Sequence, residues 1–303
     1  VRDLRGLFNS ITPAGILIPV ALSALLIWNS FSGMTAEVDR ARCMVDDLEQ
    51  ALVVFESGKT DFQGRCLGMS IGEGAPVDFS WVRDELESAR ASHQAAVERL
   101  VEDPWRRAAN SVGGVALAFF ALFFGGMTGG SPLGAAVTAW GLSNGWTRSA
   151  WVRSALTLST LATVVLYTLG LLLAVFIIYS KITGAGIDIG FPAPSVAALH
   201  PIPGLLYFTM LGVLIGLVIG RGEIAGMTAV VLAIADFIGS ARFGLAPYFP
   251  TSWHQIALGS ADGVQGKDLI SRPTALSLAL ATAVALAAVS HWFLTRRRDV
   301  PDR

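Results

Sequence analysis

Charge is what this sequence has least of. Only 15% of its 303 residues are Asp, Glu, Lys or Arg, against about 25% in an ordinary soluble domain. A globule of this size built from such a chain lacks the polar surface to stay in water. Disorder is excluded by the same shortage of charge. No basic excess is present either: 22 Lys and Arg face 23 Asp and Glu, so no positive field remains to hold nucleic acid. Cysteine is nearly missing, with two residues, which excludes a disulfide-built secreted scaffold. Catalytic apparatus is thin. The four histidines, His93, His200, His254 and His291, never stand three or four residues apart, and neither HExxH nor CxxC occurs. The nearest approach to a phosphate-binding loop is 261–268, with Gly266-Lys267. It lacks the first Gly and has Asp where Ser or Thr should hold magnesium. The chain is therefore expected to bind no cofactor and to be no enzyme by itself.

Apolar residues supply what is left. They make up 53% of the chain, and the mean hydropathy is +0.57. The charges that do occur are unevenly placed. Residues 34–108 hold 15 of the 23 acids and 9 of the 22 bases, a net charge of −6. One polar insertion thus interrupts an apolar body. Six stretches are long enough to cross a bilayer core, which takes about 20 helical residues: 12–31, 109–127, 151–179, 204–220, 224–239 and 273–294. The fourth and fifth are short and joined only by Arg221, Gly222 and Glu223, so they form a tight helical hairpin or a re-entrant pair.

Basic residues in short loops set the orientation. With the N-terminus in the cytoplasm, that side collects Arg2, Arg5, Arg148, Arg153, Arg221, Arg296, Arg297, Arg298 and Arg303. The other side collects Lys181, Arg242, Lys267 and Arg272. The expected protein is an all-α integral protein of the cytoplasmic membrane, with six transmembrane helices and both termini cytoplasmic. Residues 1–33 are the N-terminus and a retained first helix, since no small-x-small cleavage site closes the apolar run. Residues 34–108 form an extracytoplasmic helical hairpin, and 109–303 carry five further spans.

Within the insertion, Val38, Met44, Val45, Leu48, Leu52 and Phe55 predict a helix over 36–57. Trp81, Leu86, Ala89, Val97 and Leu100 predict a second over 79–102, closed by Pro104. The Gly-rich stretch 64–76 links them. Both cysteines, Cys43 and Cys66, lie here. Outside the cytoplasm they read as a structural disulfide, worth roughly 3 kcal/mol in the chain-entropy model; the alternative is two unpaired thiols in one segment. No His or third Cys stands near them at metal-ligand spacing, which argues against zinc.

Three features remain. Asp236 is the one acid inside an apolar stretch; it either reaches the outer interface and pairs or hydrates there, or lines the substrate path or fixes helix packing. Gly212, Gly216 and Gly220 form two GxxxG units, and Ala275, Ala279, Ala283 and Ala287 repeat every four residues, spacings that let helices approach closely. The segment 131–145 predicts a short amphipathic helix. Ser131 caps it, Pro132 opens it, and Leu133, Ala136, Val137 and Trp140 share a face, with Arg148 and Arg153 following.

This layout resembles the transmembrane permease subunit of a type-two ABC transporter of the exporter class. Six spans have both ends inside, and an extracytoplasmic insertion follows the first. A Gly-Ser-Pro-Leu…Val-Thr…Arg segment stands where that family has Gly-Thr-Leu…Leu-Thr…Arg. Short fourth and fifth spans precede the loop Tyr248-Phe249-Pro250-Thr251-Ser252-Trp253. The glutamate that often precedes the family's segment is missing; Met127 and Thr128 occupy that neighbourhood. The resemblance implies pairing with a second permease, identical or related. It also implies docking of residues 132–144 on a separate ATP-binding subunit that carries the ATP and magnesium. Leu133, Val137, Trp140 and Arg148 are then the coupling candidates, and a hydrophobic or amphipathic compound the cargo. The competing reading is a membrane sensor or anchor whose outer hairpin binds a ligand or partner, though the inner segments are too short for an output domain. A stand-alone carrier would show paired repeats with broken helices.

Overall fold

A computed structural model of the chain describes residues 13–57, 62–66, 70–71, 79–130, 148–242, 248–259 and 270–296. Helix accounts for 86% of it. In chain order the helices are α1 (Pro13–Glu56), α2 (Phe79–Val101), α3 (Pro104–Val112), α4 (Val115–Gly130), α5 (Arg148–Gly184), α6 (Pro201–Ile219), α7 (Gly222–Arg242), α8 (Pro250–Leu258) and α9 (Arg272–Arg296). A short antiparallel ladder pairs β1 (Phe62–Gln63) with β2 (Ser70–Ile71). The chain divides into two compact units. One comprises residues 1–25, 105–174 and 194–303, the other residues 26–104 and 175–193.

The second unit holds most of the acidic insertion. Leu48, Ala51 and Phe55 of α1, Phe62 of β1, and Val82, Leu86 and Ala89 of α2 make one buried cluster. The sequence places Trp81 on that face. The structure instead buries Val82 completely and leaves Trp81 37% exposed. The spacing 82, 86, 89, 96, 100 follows one helical stripe, and position 81 falls beside it. Three ion pairs order the two helices: Glu37 with Arg99 at 3.1 Å, Glu49 with Arg90 at 2.7 Å, and Glu56 with Arg83 at 3.7 Å. Partners ascend on α1 as they descend on α2, so the helices run antiparallel. All three pairs are solvent-exposed and fix register more than they stabilise.

In the first unit α6 is the central element, packed by α4, α7, α8 and α9. Glycine sets the spacing on three of these helices. A Cβ at Gly212 or Gly216 of α6 would collide with the carbonyl oxygens of Leu122 and Gly126 of α4, and one at Gly125 or Gly129 with those of Thr209 and Val213. The other edge of α4 meets α7 in the same manner. A Cβ at Gly126 would lie 2.8 Å from the Gly226 nitrogen, and one at Gly130 2.8 Å from the Gly222 nitrogen. Backbones in such contact gain dispersion energy and stiffness, the role small residues play in membrane bundles. Gly220 does something different. It takes the left-handed conformation (φ 73°) and donates its N–H to Gly216, ending α6. The chain then enters α7 after Arg221, which makes α6 and α7 neighbours.

Among the described residues, three helical stretches are long and apolar enough to cross a membrane: Leu156–Gly184, Val196–Ile219 and Arg272–Phe293. The expected second span, 109–127, is not one straight helix. It belongs to α3 and α4, which bend by 44° at Gly113 and Gly114 and together pass the same test. Many large apolar side chains on the helices of this unit stay exposed, among them Leu161, Val165, Leu169, Leu172, Val231, Ile234 and Val284. In water each such area costs about 25 cal/mol per Å². In a bilayer the cost vanishes, so this surface belongs to a membrane protein.

Candidate functional site

Asp236, His254, Arg106 and Arg272 of the first unit gather at α8, which sequence alone suggests is an outer loop. Its first residues are Pro250 and Thr251, and its N-cap Phe249 offers no side-chain acceptor. Asp236 of α7 supplies one: its carboxylate accepts the Thr251 N–H at 3.0 Å. A carboxylate there satisfies an orphan N–H and complements the helix dipole. At the other end Gly259 turns left-handed (φ 75°). Arg272 and Arg106 lie beside it, with Nη2 atoms 2.5 and 3.5 Å from where a Cβ of Gly259 would stand. Two guanidinium groups at a helix C-terminus complement its negative end.

Midway along α8, His254 is 2% exposed. Its Nε2 lies 2.6 Å from the Gly113 carbonyl oxygen. A carbonyl only accepts, so Nε2 carries the proton. Gly113 stands at the bend between α3 and α4, where its carbonyl has left the helical ladder, and the imidazole replaces the missing donor. The ring rests against Gly204, where a Cβ would collide with Nδ1. It also meets Phe208 edge-on at 5.6 Å. Burial pushes the His254 imidazole down to about 4, against a weaker upward influence of its Gly113 bond. It is therefore neutral at pH 7. Two further buried pairs tie helices together: Thr128 with Ser159 at 2.6 Å, and Thr163 with Thr209 at 3.0 Å.

Asp236 and His254 are thus both committed to backbone groups. The other histidines do not join them: His93 lies on α2, His200 just before α6 and His291 on α9. Gly141-Leu142-Ser143-Asn144-Gly145 has the G-x-S-x-G spacing, but a nucleophile elbow requires a strand leading into it. That pentapeptide lies outside the described residues, as do the phosphate-loop near-miss 261–268 and the coupling candidates Leu133, Val137 and Trp140. Arg148 opens α5. On one face of α7, Glu223, Ile224, Met227, Thr228, Val231 and Leu232 line an open groove of about 450 Å³.

In the second unit the structure joins Cys43 to Cys66, with Cα atoms 6.0 Å apart and a separation of 23 positions in sequence. Sequence reasoning missed their neighbour Asp47. It is 4% exposed, and its carboxylate accepts the Cys66 backbone N–H at 2.6 Å. Its spacing of four from Cys43 was the available signal, since it places both side chains on one helix face. No protein-family model, curated protein or solved structure matches the chain.

Proposed function

We propose that the chain is the transmembrane permease subunit of an ATP-driven type-two ABC transporter, exporting a hydrophobic or amphipathic compound. In this reading six spans cross the cytoplasmic membrane, both termini are cytoplasmic, and the paired helices of 34–108 stand outside. A second permease completes the passage, and a separate ATP-binding subunit carries the ATP and magnesium. The observation that supports the reading best is the glycine-locked contact of α4 with α6 and α7. Residue 130 ends α4, and the amphipathic segment 131–145 begins at the next residue. A coupling element needs a stiff lever behind it. Backbones packed without intervening side chains do not slide past one another cheaply, so a push at residue 130 passes into three helices at once. Leu133, Val137 and Trp140 would fill a groove on the motor subunit, with Arg148 at the edge of the contact.

The test is retention of an ATP-binding protein on purification in mild detergent. Replacing Val137→Asp together with Trp140→Ala should release it while the helical content of the chain is kept. Unchanged co-purification and unchanged ATP hydrolysis with that double variant would refute the coupling role.

A further inference from the structure

We infer that Cys43, Asp47 and Cys66 form a redox-gated site for a thiophilic divalent cation of the zinc class. This inference is independent of the transport reading, because it concerns the second unit and needs no nucleotide-binding partner. The ligating atoms of the three residues, two sulfurs and a carboxylate oxygen, all lie within 4.8 Å of one another. Cys43 and Asp47 stand four residues apart on α1, one helical turn, so they present their side chains from one rigid face. Cys66 comes from the chain after β1 and is tied to that face twice, by its sulfur and by its backbone N–H to Asp47. The second tie does not depend on the sulfur oxidation state. When the disulfide opens, the Asp47 carboxylate still holds the Cys66 backbone beside α1, and the three donors stay together.

A dithiol gives two electrons and its two protons to the Cys43–Cys66 bond and becomes a disulfide; a phosphine gives two electrons and becomes a phosphine oxide, with water supplying the oxygen and the two protons. The protein gains two electrons and two protons and carries two thiols. The cation then displaces both thiol protons and binds two thiolates and the Asp47 carboxylate. Zinc bonds of about 2.0–2.3 Å put tetrahedral donor atoms roughly 3.3–3.8 Å apart. The opened sulfurs reach that separation by side-chain rotation from Cα atoms 6.0 Å apart. Two soft sulfur ligands select zinc-like ions over magnesium or calcium. Asp47 is buried while Cys66 is exposed, so the fourth coordination position opens to solvent on the Cys66 side. A small-molecule disulfide then takes two electrons from the two thiolates by thiol–disulfide exchange and is reduced to two thiols, which re-forms the Cys43–Cys66 bond and expels the ion.

The test uses the full chain, without a histidine tag, in detergent micelles. The chain is reduced with a phosphine, stripped of metal and titrated with Co²⁺ as a spectroscopic probe. The expected result is one Co²⁺ per chain, with sulfur-to-cobalt charge-transfer absorption that Zn²⁺ abolishes. The oxidised chain should take up none. Asp47→Asn keeps an acceptor for the Cys66 N–H and removes the anionic ligand, so it should weaken Co²⁺ binding at least about tenfold with unchanged circular dichroism. Cys43→Ser should abolish the charge-transfer band. Three results would each overturn the assignment: no band on reduction, equal affinity in Asp47→Asn, or equal uptake by the oxidised chain.

Discussion

Gly216→Ala puts the glycine seam between α4 and α6 to a direct test of sign. Alanine is the better helix former by about 1 kcal/mol, so in open surroundings this substitution stabilises. At Gly216 the new Cβ would collide with the Gly126 carbonyl oxygen and would lie 2.7 Å from the Gly130 nitrogen and 2.9 Å from the Gly129 carbonyl carbon. All three are backbone atoms of α4 and cannot rotate away. Ordinary contact begins at 3.4 Å, so the helices must part by roughly 0.7 Å or more. A gap of that size forfeits about a quarter to a half of each contact's dispersion energy. Overpacking costs about 1–3 kcal/mol, and three backbone clashes put Gly216→Ala at about 2–3 kcal/mol, above the propensity gain. The internal control is Gly33→Ala on α1, where nothing lies within 4 Å. Denaturation in mixed micelles, followed by circular dichroism, should show Gly216→Ala less stable than the parent chain by about 1–2 kcal/mol and Gly33→Ala no less stable. A Gly216→Ala chain as stable as the parent would refute the close approach of α4 and α6.

Cys43 and Cys66 should resist alkylation until reduced, and the double Cys→Ser chain should lose roughly 3 kcal/mol of stability, seen as faster proteolysis within 34–108. Asp236→Ala removes the acceptor from the Thr251 N–H and should cost about 1 kcal/mol. Asp236→Asn, which keeps an acceptor, should cost less; amide exchange at Thr251 reads both. For His254, the folded imidazole sits near 4 and the unfolded one near about 6.5. Between those values the unfolded chain binds a proton that the folded chain does not, so stability is full above pH 6.5 and falls as the pH drops. From pH 6.5 to 5 the loss should reach about 1.5 kcal/mol. A His254→Gln chain should lack that part of the pH dependence in thermal unfolding.

The sequence and the structure agree where period and composition carry the information. The apolar face of 36–57 is legible because Leu48 and Phe55 fall at helical spacing around buried Ala51. The pairing of Cys43 with Cys66 is legible because those are the only two cysteines. The Gly212 and Gly216 repeat marks the face of α6 that meets its neighbours. Its counterpart was equally visible: Gly125 with Gly129, and Gly126 with Gly130, are two interleaved small-xxx-small units that turn α4 toward α6 on one edge and α7 on the other. What composition could not give is α8. Pro250-Thr251-Ser252-Trp253-His254 has the look of a loop because helix preference is read from local residues. The stabilising groups are remote in sequence: Asp236 at one end, Arg106 and Arg272 at the other, and the Gly113 carbonyl in the middle.

That same remoteness changes what Asp236 means. An acid in an apolar helix is by default a functional residue, because its burial is costly and something must offset the cost. Here the offset is in view. The carboxylate receives an N–H from the first turn of α8, at the positive end of a helix whose own N-cap contributes no side-chain bond. Two arginines stand at the far end. The acid is then required by a short helix that could not otherwise close its own termini, and no cargo is needed to explain it. If the chain is the proposed permease, its passage is better sought along surfaces whose exposure has no such internal account. The face of α7 carrying Ile224, Met227, Val231 and Leu232 is one: each is at least half exposed, and Glu223 stands in the first turn of the same helix. If Asp236 serves only α8, Asp236→Asn should leave transport near the parent rate, whereas bulky substitutions at Met227 or Val231 should reduce it without loosening α8. Loss of transport in Asp236→Asn with amide exchange at Thr251 unchanged would return the acid to the path.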